Sequence, residues 1–153
     1  MPLLVVCESG DVDRARQLLR EGADVNLRED QGWSPLIMAA KEGHAELLSE
    51  LLASGASPNP PDVSHTPLRG AAIFGRDACI RLLLAAAADP NCPSAGGRTP
   101  LMGAAMGGHA STVTLLLAAG AKASVKNDFG ETAADLATAK GHADCEALLK
   151  SPE

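Results

Sequence analysis

An all-α fold built from stacked repeats follows from three observations on this chain of 153 residues. A short pattern recurs as SPLIMAAKEGH at 34–44, TPLRGAAIFGR at 66–76, TPLMGAAMGGH at 99–109 and TAADLATAKGH at 132–142, with successive starts 32, 33 and 33 residues apart. A leucine pair recurs at matching intervals, at Leu18-Leu19, Leu51-Leu52, Leu83-Leu84 and Leu116-Leu117. Trp33, Phe74 and Phe129 are the only aromatic residues, so the core must be leucine, alanine, valine and methionine, which suits close helix packing better than a sandwich. With 46% hydrophobic residues and one domain's length, the chain is expected to fold and not to be disordered.

Within each unit the elements follow in a fixed order. Ser34, Thr66 and Thr99 each precede proline and leucine. The hydroxyl can accept a hydrogen bond from an orphan amide of the first turn, and proline at the first helical position loses nothing by lacking its N–H. Alanine pairs follow at 39–40, 71–72 and 104–105, small enough for neighbouring helices to approach closely. Gly43, Gly75, Gly108 and Gly141 then stop the first helix, because glycine accepts the left-handed conformation that ends it. A second helix carries the leucine seam and ends at Gly22-Ala23, Gly55-Ala56, Ala87-Ala88 and Gly120-Ala121. Asp24-Val25-Asn26 and Asp89-Pro90-Asn91 lead into a turn before the next Ser/Thr-Pro.

These residues closely resemble the ankyrin-repeat family, and the resemblance covers nearly the whole chain. It implies an all-α ankyrin-repeat solenoid of helix-turn-helix units with projecting hairpin loops, in a single domain over 1–153. The expected repeats are 1–28, 29–60, 61–93, 94–126 and 127–153, the first lacking its hairpin and the last truncated. No helix pair can bury both its faces alone, so stability is roughly a sum of unit and interface terms. The last unit fits an end role, with Ala133 in place of proline and Glu146 and Lys150 on its second helix. At a helix spacing of about 8–10 Å, five units make a rod roughly 40–50 Å long, which offers surface and not a deep catalytic pocket.

Three departures from the repeat bear on mechanism. Ala87 stands where other units have glycine, and a left-handed alanine there costs about 1 kcal/mol. The stretch SPNPPDVSHTP at 57–67 is one residue short, rich in proline and has Ser64 in place of the hairpin glycine, so a stiff, atypical seam is expected. Gly70 and Gly103 occupy the first-helix position held by Met38 and Leu136 elsewhere. Two readings are open for them: closer helix contact, or a small groove for a ligand side chain.

Several kinds of chemistry are argued against. His44, His109 and His142 recur in Gly-His pairs, but units about 10 Å apart cannot bring them to one metal, whose bonds to nitrogen are near 2 Å. Arg76 takes the histidine's place in the third unit, and in the family resembled this histidine ties adjacent units together. Asp128-Phe129-Gly130 matches a kinase metal-binding tripeptide without any other kinase motif, and no phosphate-loop, nucleophile-elbow or zincin motif is present. No catalytic residue, cofactor or metal is expected, and the chain is read as a non-enzyme. A net charge of -6 without a Lys/Arg-rich run argues against nucleic acid. The apolar run Leu3–Cys7 is too short for a signal peptide, and no stretch approaches a membrane span, so a monomer in the cytoplasm, with the nucleus also open to it, is the expectation. Cys7, Cys79, Cys92 and Cys145 show no C-x-x-C spacing and read as reduced packing residues.

The resemblance places recognition on hairpin tips and the exposed side of the first helix. Residue by residue, these are Asp30, Gln31, Trp33, Lys41 and Glu42; Asp62, Val63, His65, Ile73 and Phe74; Ala95, Gly96, Arg98, Met106 and Gly107; and Asp128, Phe129, Glu131, Ala139 and Lys140. All three aromatic residues fall in this set, as binding anchors do; for Trp33 and Phe129, hairpin packing is an equal reading. The strip from Trp33 through Phe74 to Met106, flanked by Lys41, Arg69 and Arg98, suits a protein or peptide with apolar anchors and acidic groups. Candidate modification sites are Ser151, before Pro152, and Asn26 and Asn91, whose leucine-to-asparagine spacing resembles that recognised by asparaginyl hydroxylases. The leading function is a non-catalytic protein-interaction module. The alternatives are an inhibitor docking on an enzyme such as a kinase, against which the regular second unit argues, and an interaction domain cut from a larger protein.

Overall fold

The computed structural model describes residues 2–61 and 64–151. Asp62 and Val63, expected on the recognition surface, and Pro152 lie outside the described residues. Among these, ten α-helices form five helix-turn-helix pairs: α1 (Leu3–Ser9) with α2 (Val12–Arg20), α3 (Pro35–Glu42) with α4 (Ala45–Ala53), α5 (Pro67–Ile73) with α6 (Asp77–Ala85), α7 (Pro100–Gly107) with α8 (Ala110–Ala118), and α9 (Ala133–Lys140) with α10 (Ala143–Lys150). The first helices pack in sequence α1, α3, α5, α7, α9, and the second helices form a parallel row α2, α4, α6, α8, α10. Among the described residues there is no strand, only an isolated bridge between Ser94 and Arg98.

Small residues let the rows approach. Ala39, Ala40, Ala71, Ala72, Ala104 and Ala105 are fully buried, with Leu36, Leu68 and Leu101 beside them and Leu47, Leu48, Ile80 and Val113 reaching in from the second row. In the leucine pairs of α4, α6 and α8 the first member (Leu51, Leu83, Leu116) is wholly buried while the second is half-buried at the row's outer edge. In α2 both Leu18 and Leu19 are only half-buried.

Helix starts follow the sequence chemistry. The hydroxyls of Ser34, Thr66 and Thr99 accept from the amides of Ile37, Arg69 and Met102 at 3.3, 3.2 and 3.3 Å, with proline at the first helical position. Where Ala133 replaces proline, a reciprocal box stands in. Thr132 caps the Asp135 amide, and the Asp135 carboxylate accepts from the Thr132 amide and hydroxyl at 2.8 and 2.9 Å. Helix ends close by the wrapped bond from the residue after the left-handed position: His44, Arg76, His109 and His142 amides donate to Ala39, Ala71, Ala104 and Ala137 carbonyls. Ala23, Ala56, Ala88 and Ala121 do the same to Leu18, Leu51, Leu83 and Leu116. Ala87 sits in the left-handed region at φ 64°, the only non-glycine among the described residues to do so.

Two side-chain ladders join the units. His44, His109 and His142 place Nε2 at 3.0, 2.9 and 3.1 Å from the carbonyls of Glu8, Ile73 and Met106. A carbonyl only accepts, so Nε2 carries the proton in each. Arg76 makes the equivalent bond, its Nε donating to the Lys41 carbonyl at 3.1 Å, which is why the substitution leaves the pattern intact. Each ring lies over the left-handed glycine of the preceding unit. A Cβ on Gly75 would come within 2.7 Å of His109 Nδ1, so glycine there serves both the turn and the stacking.

The second ladder is asparagine. Asn26 donates to the Gly55 carbonyl at 3.0 Å and accepts from the Ser57 amide at 2.8 Å; Asn91 does the same with Gly120 and Lys122. Asn59 repeats it with Ala87 and Asp89 at 2.9 and 2.8 Å. Asn59 escaped the sequence reading because prolines crowd its turn, although its 33- and 32-residue spacing to Asn26 and Asn91 carried the signal.

Cys7, Cys79 and Cys145 are buried free thiols, and burial pushes Cys7 up to about 12. Cys92 differs, being half-buried in a turn outside any helix.

Candidate functional site

The residue just before the cap of each first helix from α3 onward holds one register position of the repeat. Trp33, His65, Arg98 and Glu131 are those residues, spaced 32, 33 and 33 apart. The Glu29 amide holds the Trp33 carbonyl at 2.9 Å, and the Ser94 amide holds that of Arg98 at 2.8 Å. This register stacks Trp33 on His65, with ring centroids 4.2 Å apart and planes 18° from parallel. An offset pair of this kind contributes about 0.5–1.5 kcal/mol beyond its buried area.

Lys41, in the last turn of α3, extends over this stack. Its Nζ lies 5.6 Å from the Trp33 ring and 5.9 Å from the Phe74 ring, and it pairs with Glu42 at 3.1 Å. Phe74 caps α5 and is 46% exposed, and the Arg76 guanidinium sits 5.9 Å from the centre of its ring. Cations over aromatic faces are worth roughly 0.5–1 kcal/mol each at such partly exposed sites. Arg76 as a Phe74 partner was not legible in the sequence, where its place in the histidine ladder accounted for it fully.

Behind these groups lies a cavity of about 110 Å³ lined by Trp33, Ile37, Lys41, His65, Thr66, Arg69, Gly70, Ile73 and Phe74. Six of the sequence-predicted residues therefore converge: Trp33, Lys41, His65, Arg69, Ile73 and Phe74. The two glycines resolve differently. A Cβ on Gly103 would lie 3.0 Å from Ile73 Cγ1 and 3.4 Å from the Arg69 carbonyl, so Gly103 serves close helix contact. A Cβ on Gly70 would meet nothing nearer than 3.7 Å, and Gly70 lines the cavity.

Arg69 lines this cavity, and Arg98, just before the cap of α7, is near enough for its charge to act on Arg69. Burial first, and then the adjacent Arg98 charge, lower the pKa of Arg69 from the usual arginine value. Among the described residues, the buried Nε of Arg69 has no hydrogen-bond partner.

The other predicted residues stand apart from the cavity lining. Met106 is half-buried on α7, its carbonyl taken by His142. Phe129 is 76% exposed in the hairpin before α9, its amide bonded to Asn127 Oδ1 at 2.9 Å, and Lys140 is exposed at the end of α9. Gly107, expected as a free surface position, is structural: a Cβ there would run into the Ile73 carbonyl that receives His109. Of the candidate modification sites, Asn26 and Asn91 have both side-chain groups engaged across a unit boundary. Ser151 is exposed, its hydroxyl donating to the Ala147 carbonyl at 2.8 Å.

A larger, open depression of about 570 Å³ lies on the opposite row between α2 and α4, spanned by Arg16 reaching Glu50 at 2.7 Å. It lacks the aromatic walls of the inner cavity. Among the described residues, no helix is long and apolar enough to cross a membrane, and no group of three His, Cys, Asp or Glu is placed to hold a metal ion.

A family model described as ankyrin repeats in three copies matches residues 3–94 and 86–153. Similar relatives include the 2-5A-dependent ribonuclease of Mus musculus, 43% identical over 58 residues, which make up 37% of this chain and 8% of that protein. The mitochondrial disaggregase of Bos taurus is 40% identical over 60 residues, 39% of this chain and 9% of that protein. The ankyrin repeat, SAM and basic leucine zipper domain-containing protein 1 of Homo sapiens is 36% identical over 87 residues, 54% of this chain and 18% of that protein. The chain thus spans less than a fifth of the length of each of these relatives. With matched segments that run through nearly all of its helix pairs, the chain belongs to the ankyrin-repeat family.

Proposed function

We propose that this chain is a non-catalytic recognition module whose inner face, along the pre-cap ladder and the ends of the first helices, binds a protein or peptide segment. Ankyrin repeats are generally protein–protein interaction modules. The single observation that carries the site is the cavity walled by Trp33, His65, Ile73 and Phe74 with Lys41 over both aromatic rings. An exposed Phe74 and a half-buried Trp33, each packed beside a cation, are what interface anchors require, since side chains already placed lose little freedom on binding. A second reading, regulation of a catalytic unit, is favoured by the 2-5A-dependent ribonuclease and the mitochondrial disaggregase, in which the matched segment is less than a tenth of the length.

Trp33 is the only tryptophan, so its fluorescence reports directly on the proposed face. Partners captured from a lysate are titrated against the wild type, Phe74→Ala and Arg98→Ala. Truncating a central anchor costs about 2 kcal/mol, roughly thirtyfold in Kd, and the rim-side Arg98 change less. Unchanged affinity in both variants, with native circular dichroism, moves the site elsewhere.

A further inference from the structure

We propose that the cavity receives one apolar side chain of an acidic peptide segment, and that a carboxylate of the same segment is held by Arg69 and Arg98 at its border. The inference rests on the inner-face reading above and narrows its partner.

Size sets the first limit. Sites for drug-sized molecules or cofactors occupy about 300 Å³ or more, whereas this one has about 110 Å³. That is room for a side chain and not for a small-molecule ligand. The space exists because position 70 is glycine where Met38 and Leu136 stand in other units, while the matching notch at Gly103 is occupied by Ile73. The notch is therefore particular to the junction of α3 with α5.

Charge sets the second limit. Arg69 buries an Nε with no partner among the described residues, and the neighbouring Arg98 repels it, which lowers its proton affinity in the same direction as burial. Arg69 is only partly buried as a residue, so a carboxylate set against the accessible part of its guanidinium makes charge-assisted hydrogen bonds there and offsets the like-charge repulsion from Arg98. Lys41 and Arg76 add positive charge on the far side, and the carboxylate paired with Lys41, Glu42, is already engaged. The chain's net charge of -6 opposes an acidic ligand at long range. At physiological ionic strength that field is screened within about 8 Å, so the cations lining the site decide.

A random twelve-residue peptide library displayed on phage is selected on the wild-type protein, and enriched sequences are resynthesised. The expected consensus is one Leu, Ile, Met or Phe with Asp or Glu within a few positions. Replacing that acid by its amide, or using Arg69→Gln or Arg98→Gln protein, weakens binding roughly tenfold, and raising salt weakens it further. Gly70→Leu fills the notch and abolishes binding while melting no lower than the wild type, because a Cβ is accommodated there.

Enriched peptides that are basic or lack carboxylates, or whose binding ignores both arginine variants yet falls with Phe74→Ala, overturn the acidic ligand and leave the inner-face reading standing. Peptides indifferent to Gly70→Leu and Phe74→Ala, or a selection that enriches none, overturn both.

Discussion

Single residues carry consequences here that type alone does not predict. Ala87 holds φ at 64°, a conformation that costs an alanine about 1 kcal/mol or slightly more. The equivalent Gly22, Gly55 and Gly120 have open space where a Cβ would stand, so the cost at Ala87 is backbone strain and not collision. Ala87→Gly is expected to raise Tm by about 2–4 °C by differential scanning calorimetry. The two notch glycines make an opposed pair. At Gly103, leucine gains up to about 1 kcal/mol of helix propensity but must displace Ile73, and overpacking costs about 1–3 kcal/mol. Gly103→Leu should therefore lower the urea midpoint while Gly70→Leu does not. Sequence alone left both glycines with two readings, because whether a neighbour fills the missing side chain's volume depends on the residue one unit away.

At the scale of elements, ends matter more than middles. The box that replaces proline at α9 rests on an ionised Asp135, whose pKa is lowered first by the Thr132 amide and then by its hydroxyl. A depressed carboxylate contributes stability that is fully present above its unfolded pKa and is lost as pH falls through the folded value. The start of α9 should thus loosen as pH drops below the ordinary aspartate range, near 4. Amide exchange at Asp135 measures this; Asp135→Asn should show the loose state at neutral pH with no further change on acidification. The helix starts, alanine pairs and glycine stops were all legible in sequence, since capping and termination are local and need only residues within one turn. The asparagine clamps were half legible. Asn59 has the right spacing, but its bond to the Ala87 carbonyl crosses to the next unit.

Across the whole molecule, stability passes from unit to unit through α3, α5, α7 and α9 and through the Nε2-to-carbonyl ladder. Breaking one rung tests this coupling. His109→Ala removes the bond to Ile73 and leaves that carbonyl to find another partner, at a cost of about 1–3 kcal/mol. In a quasi-one-dimensional array that loss falls at one interface. The urea transition should broaden or split in two, whereas a sharp shifted transition would mean that the stack behaves as one cooperative block.

The sequence by itself determined the period, the all-α class and the positions of caps and stops, because each depends on chemistry repeated within some 33 residues, and the resemblance it carries pointed to six of the nine residues that line the inner cavity. Tertiary structure alone decided that Gly70 is an opening and Gly103 a contact, that Gly107 is structural, that Arg76 backs Phe74, and that Met106, Phe129 and Lys140 stand outside the cavity lining. Those outcomes are set where one unit's side chains occupy, or fail to occupy, the space offered by the next.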